Sequence, residues 1–210
     1  MKSYGSLSLK CFIFLFMCSL AFSGCASFPN KEFPKYSFDQ FKPLEVKPAI
    51  DYDLKYFWTN RENAAALPVF CKKVEDVFAK SNLFSEYKAG TGSSDYHFSI
   101  IMKNEGDIAS AQLSGFISGL TLTLIPAQAR DNFVLTVDVK KGDEVIKHYQ
   151  YEHYMDTWIQ LFLVFMTEAH HPNKVVNQVW DDMLLAFLHD FEQEYILVAQ
   201  SEEESGEGSN

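Results

Sequence analysis

Nine apolar side chains, Val175, Val176, Val179, Trp180, Met183, Leu184, Phe187, Leu188 and Phe191, recur at helical spacing near the end of the chain. A helix with one apolar stripe has to bury that stripe against a second layer, so a lone helix or a disordered chain is ruled out for this region. The helix is predicted over 172–191, and Pro172 suits its first turn, where the backbone N–H has no intrahelical partner anyway. A second helix is predicted over 67–84. There Phe70, Cys71, Val74, Val77, Phe78 and Ser81 fall on one side and Lys72, Lys73, Glu75 and Asp76 on the other, with an end near Asn82.

The second layer reads as a sheet. Tyr96, Phe98, Ile100 and Met102 alternate with their neighbours at period two, and so do Phe133, Leu135, Val137 and Val139. Lys141-Gly142-Asp143 turns the latter run into a partner strand from Glu144 to about His153, since glycine supplies the positive φ that such loops need. Two uncharged stretches break the half-buried pattern: Leu113 to Ala127 (LSGFISGLTLTLIPA) and Trp158 to Met166 (WIQLFLVFM). The first is expected as a core strand and the second as a short buried helix, with an exposed apolar surface for a partner or a bilayer as the alternative. Neither is long enough to span a membrane. The expected architecture is α+β: a mainly antiparallel sheet of about four strands with two amphipathic helices packed on it, in a single domain over 51–198.

The opening of the chain has a different character. Lys2 and Lys10 precede an apolar block, Cys11 to Phe22, which runs into Ser23 and Gly24, the order of a secretory signal. Twelve apolar residues cover about 18 Å as a helix, short of the roughly 30 Å hydrocarbon core, so removal after export is the expectation over residues 1–24. Phe22-Ser23-Gly24-Cys25 looks like a lipobox, in which small residues precede a cysteine whose thiol is acylated before cleavage. Phe22 stands where that motif usually has leucine. Ordinary cleavage nearby would instead leave Cys25 a free thiol. In proteins similar to this, an aspartate after the cysteine favours the inner membrane; Ala26 stands there, which points to the outer membrane with the domain facing the periplasm. Residues 25–50, with Pro29, Pro34, Pro43 and Pro48, read as the lipidated cysteine and a tether. Residues 199–210, ending SEEESGEGSN, read as an acidic disordered tail.

Without Lys2 and Lys10 the chain holds 16 basic against 28 acidic side chains, a formal charge of −12. No basic patch for a nucleic acid is visible. With Cys11 and Cys18 in the signal and Cys25 acylated, Cys71 is left alone, so no disulfide framework is expected, and Cys71 reads as a buried hydrophobe in its helix. His170-His171 invites a metal reading, but adjacent side chains point apart and no ligand-like spacing follows, so a helix-start loop is expected. His148 and His153 would lie on opposite faces of a strand. Asp181-Asp182 reads as a solvated helical face. Neither a nucleophile elbow nor a phosphate-binding loop is present.

Three segments, Ser114 to Pro126, Asp131 to Val137 and Thr157 to Leu161, resemble in their order an uncharacterised family of outer-membrane lipoproteins of Gram-negative bacteria. That family carries a small α/β domain after its lipid anchor, and the resemblance covers roughly residues 67–190. More distantly the order is similar to periplasmic auxiliary lipoproteins that activate or assemble envelope machinery. The resemblance implies location and architecture; its motifs are structural. The expected function is that of a non-catalytic lipoprotein, anchored to the membrane through Cys25, with an envelope protein as partner and no cofactor or metal. The alternatives are a carrier of a lipid or other hydrophobic ligand, and an envelope enzyme without a recognisable motif.

Overall fold

The structure is a computed structural model and describes residues 23–90, 94–121, 125–161 and 163–207. The apolar block ending at Phe22 and the last three residues of the acidic tail lie outside these. The described residues form strands β1 (Ser23–Pro29), β2 (Ala49–Trp58), β3 (Arg61–Glu62), β4 (Glu86–Ala89), β5 (Tyr96–Gly106), β6 (Ala127–Lys141) and β7 (Glu144–Leu161). The helices are α1 (Leu67–Ser81), α2 (Ile108–Leu120) and α3 (Pro172–Glu207). The strands run in the order β1-β7-β6-β5-β2-β3, with β4 also on β2. β1 is antiparallel to β7, β3 is antiparallel to β2, and β4 and β5 are both parallel to β2.

The α+β class holds, but the sheet is mixed and larger than the four antiparallel strands expected, and a third helix is present. The parallel β2/β5 pair needs a crossover connection, which the chain supplies with α1 and β4. β2 escaped the sequence reading although Ile50, Tyr52, Leu54 and Tyr56 alternate within it and are all buried. The hairpin between β6 and β7 is as expected, and Gly142 has φ +62°. Gly142→Ala should therefore lower stability by about 1 kcal/mol, read as a shifted urea midpoint at unchanged slope, because alanine resists that conformation.

Three further expectations are corrected. Leu113 to Leu120 belongs to α2 rather than a core strand. Trp158 to Leu161 continues β7, and Leu163–Phe165 is a single 3₁₀ turn, so no buried helix forms there. The segment read as a tether carries β1 and a 3₁₀ turn at Phe38–Gln40. Its prolines hid the order because side chains hold much of it: Phe33 stacks on His153 at 4.3 Å, Tyr36 stacks on His189 at 4.1 Å, and Lys42 N–H donates to Glu192. α3 continues through Glu207, into the stretch read as a disordered tail.

The chain divides into two compact units. Among the described residues, one comprises 23–30, Gly106–Asn132 and Tyr154–Gln178; the other comprises Lys31–Glu105, Phe133–His153 and 179–207. The second unit holds the aromatic core. Trp180 packs edge-on against Phe133 (5.3 Å), Phe70 (5.8 Å) and Tyr56 (6.4 Å), and Phe98 against Phe187, Phe84 and Phe191. These are favourable edge-to-face separations. In the first unit, the Arg130 guanidinium binds both oxygens of Asp156 (2.8 and 2.7 Å) and covers the Tyr154 ring. That pairing holds the Asp156 carboxyl below its ordinary range.

Candidate functional site

In the first unit Cys25 lies within β1, opposite Ile159 of β7. The strand is secured on both sides: Ser27 Oγ meets Thr157 Oγ1 at 2.7 Å, and Ser27 N–H donates to the His170 carbonyl at 2.8 Å. Cys25 is partly exposed, and Ile159 facing it is exposed. β1 also touches the turn Leu163–Phe165, whose Phe165 is 81% exposed.

α2 is built inside out. Asp107 opens it by accepting from Ser110 N–H at 3.0 Å, and Thr121 closes it with its hydroxyl on the Ile117 and Ser118 carbonyls. Its small polar residues turn inward: Ser118 is buried, and Ser114 Oγ accepts from Gln128 N–H at 2.6 Å. Its large apolar residues turn outward, with Leu113, Phe116 and Leu120 each more than 60% exposed and Ile117 at 42%. Positions 113, 116, 117 and 120 form one stripe. It leaves four large apolar side chains uncovered along one side of α2. The expectation that this segment is core is thus replaced by its alternative, an exposed apolar surface.

The second unit contains three polar clusters. His153 is buried beneath Phe33, with its Nε2 3.6 Å from Asp182, whose carboxylate is also 3.8 Å from Lys35. Asp182 was expected on a solvated face; it is buried because the segment around Phe33 and Lys35 covers that side of α3. On β2 and β5, Asp53 takes His97 Nε2 at 2.5 Å on one oxygen and the Ser99 hydroxyl at 3.1 Å on the other. The residue types are those of a hydrolase triad, but the carboxylate stands between histidine and serine. A relay of that kind needs the histidine between them, and here the histidine and the serine sit on opposite oxygens of the carboxylate. The third cluster pairs tyrosines with carboxylates: Tyr149 donates to Glu194, Tyr151 to Asp190 and Tyr52 to Glu75, each at 2.7 Å. Burial first, and then the neighbouring carboxylate, pushes all three phenols well above their ordinary pKa of about 10.

Near Tyr149 lies an open depression of about 200 Å³ lined by Tyr96, Val139, Tyr149, Phe191 and Tyr195, with Lys147 and Glu194 paired beside it. A second, of about 290 Å³, shares Tyr96, Tyr195 and Val198 and adds Lys141 and Asp95. Sequence spacing had no means of finding either, since they assemble from β5, β6, β7 and α3, with Val46 and Pro48 ahead of β2 and Asp95 ahead of β5 adding to the second.

The remaining candidates fall as follows. Cys71 is partly exposed rather than buried, and burial, followed by Glu75, raises its thiol pKa, the opposite of an activated nucleophile. The His170 ring lies against Phe28, while His171 Nδ1 accepts from Asn173 N–H at the start of α3. His148 pairs with Asp138 at 2.6 Å on an exposed side, and His153 is buried. Among the described residues no three metal-ligating side chains converge, and no helix is long and apolar enough to cross a membrane.

No family model matches the chain, and no curated protein matches it. Among solved structures it is similar to a dodecamer of a PelC variant from Paraburkholderia phytofirmans, at 6% identity and a TM-score of 0.30, over 67% of this chain and 82% of that one. A TM-score that low does not carry a fold assignment.

Proposed function

We propose that the chain is a lipoprotein of the cell envelope, held in the outer membrane by acyl chains on Cys25 and facing the periplasm, and that it binds and supports an envelope protein without catalysing a reaction. The observation that carries this reading is the outward apolar stripe of α2 in the same unit as Cys25. A protein kept in aqueous solution gains nothing from four such side chains, whereas one held at a membrane or in an assembly does. The polar clusters support a non-catalytic role, since their carboxylates are taken up by tyrosine, histidine, lysine and serine. The open depressions favour a protein partner over a sheltered ligand. Enclosure of a small molecule commonly takes about 300–1,000 Å³, and an aromatic hollow of about 200 Å³ fits an anchoring side chain of a partner.

Metabolic labelling with a fatty acid tests the anchor. The native chain should take up label and sediment with membranes, and Cys25→Ser should lose both; label surviving in the variant would remove the anchor from this position. Pull-down of the anchored protein in mild detergent tests the second half. It should retrieve the same envelope protein repeatedly, and a clean, partnerless monomer would speak against the binding role.

A further inference from the structure

We propose that the outward stripe of α2, together with Phe165 beside β1, rests in the lipid surface that holds Cys25 and forms a second, non-covalent anchor. The inference depends on the acylation of Cys25 proposed above, and it names what the stripe touches.

Three observations favour lipid. The first is distance. β1, β7 and β6 are consecutive strands, and the start of β6 lies at the end of β7 where Cys25 pairs with Ile159. Strands are spaced by roughly 4.8 Å, and Ser114 of α2 is hydrogen-bonded to Gln128 of β6, so α2 passes within about 15 Å of Cys25.

The second is the lack of slack. Cys25 itself pairs with Ile159 in the outermost strand of the sheet, so an acyl chain on it leaves directly from a strand edge with no free linker. The bilayer then has to lie against this end of the unit, where Ile159, Phe165 and Met166 are all exposed.

The third is charge. From Ile108 to Ala129 the chain has no charged residue, and between Ala109 and Gly119 the residues of α2 outside the stripe are serine, glycine, alanine and glutamine. A charged side chain on this side would be costly to carry into lipid, and none is present. The 13-residue helix is about 20 Å long and would lie in the plane of the surface.

The test uses the full acylated chain in vesicles of phosphatidylethanolamine and phosphatidylglycerol with brominated acyl chains. Phe116→Trp places a fluorophore in the stripe, and the same variant in vesicles without bromine serves as control. After subtraction of the parent emission, bromine should quench the added tryptophan at 116. Exchange of Leu113, Phe116 and Leu120 for serine should make the acylated chain move between vesicles about tenfold faster or more, since burial of even one such side chain is worth about that factor. Its inward face is untouched, so the fold survives.

If the chain is acylated and vesicle-bound but bromine does not quench the tryptophan at 116, the stripe does not face lipid and the inference falls while the anchor stands. A detergent-solubilised mass that halves in the triple serine variant would assign the stripe to a second copy and overturn it equally. If no fatty acid is attached, the anchor fails and the inference with it.

Discussion

Trp180→Ala should lower the unfolding free energy by about 3–5 kcal/mol, the usual cost of emptying a large aromatic site in a packed core. The indole is 1% exposed and meets three rings, on β2, α1 and β6, so no single element can move in to fill the space. Domains are stable by about 5–15 kcal/mol in all, so the variant should sit close to its unfolding midpoint. Trp180→Phe separates packing from polarity. The Trp180 indole N–H has no hydrogen-bond partner among the described residues. Phenylalanine removes that buried donor along with some volume, and the loss should fall to about 1–2 kcal/mol. Urea unfolding of both variants provides the measurement. A phenylalanine variant as destabilised as the alanine one would mean that the indole nitrogen is satisfied in the folded protein and that its bond, rather than ring volume, carries the loss.

The second large effect is a steep loss of stability in alkali. Tyr52, Tyr149 and Tyr151 keep their protons in the folded chain to well above the pH at which an unfolded tyrosine ionises. Below about pH 10 both states are protonated and nothing changes. Above it the unfolded chain releases three protons that the folded chain retains. The folded state then binds more protons, and stability falls as pH rises, by about 1.4 kcal/mol per pH unit for each tyrosine and roughly 4 for the three. Urea midpoints taken between about pH 9 and pH 12 should stay level at first and reach this slope above about pH 11, and Tyr149→Phe with Tyr151→Phe should remove about two thirds of it. A flat profile would mean that the three phenols ionise in the folded protein as they do in the unfolded chain.

The elements that were legible from the sequence have one apolar face directed to one core. α3, α1, β5 and the β6/β7 hairpin satisfy this, and Gly142 marked the turn between the two strands. α2 was misread although Leu113, Phe116, Ile117 and Leu120 stand at helical spacing. Gly115 and Gly119 argue against a helix, and periodicity identifies a stripe without saying whether it faces inward or outward. β1 was missed because Pro29 ends it and a seven-residue strand paired with a distant one leaves little local signature. Asp182 was assigned to solvent because a pair of aspartates on a helix usually lies there. Its burial depends on a segment some 150 residues earlier, carrying Phe33 and Lys35, which no local pattern connects to it. The candidate surface was legible only as a pair of alternatives, since spacing alone leaves both open.

The outer edge of β2 is divided between two short partners. β4 covers Ala49–Tyr52 and β3 covers Phe57–Trp58, while Gly90 N–H and Asn63 N–H cap the Tyr52 and Tyr56 carbonyls. Only Asp53, Leu54 and Lys55 remain between them, and β3 itself presents Arg61 and Glu62. A neighbouring chain that approaches this rim finds no long, flat run of bare amides on which to add a strand, and charges where it would begin. The parallel core of the second unit is therefore shielded against edge-to-edge polymerisation, the hazard that grows as copies are crowded together.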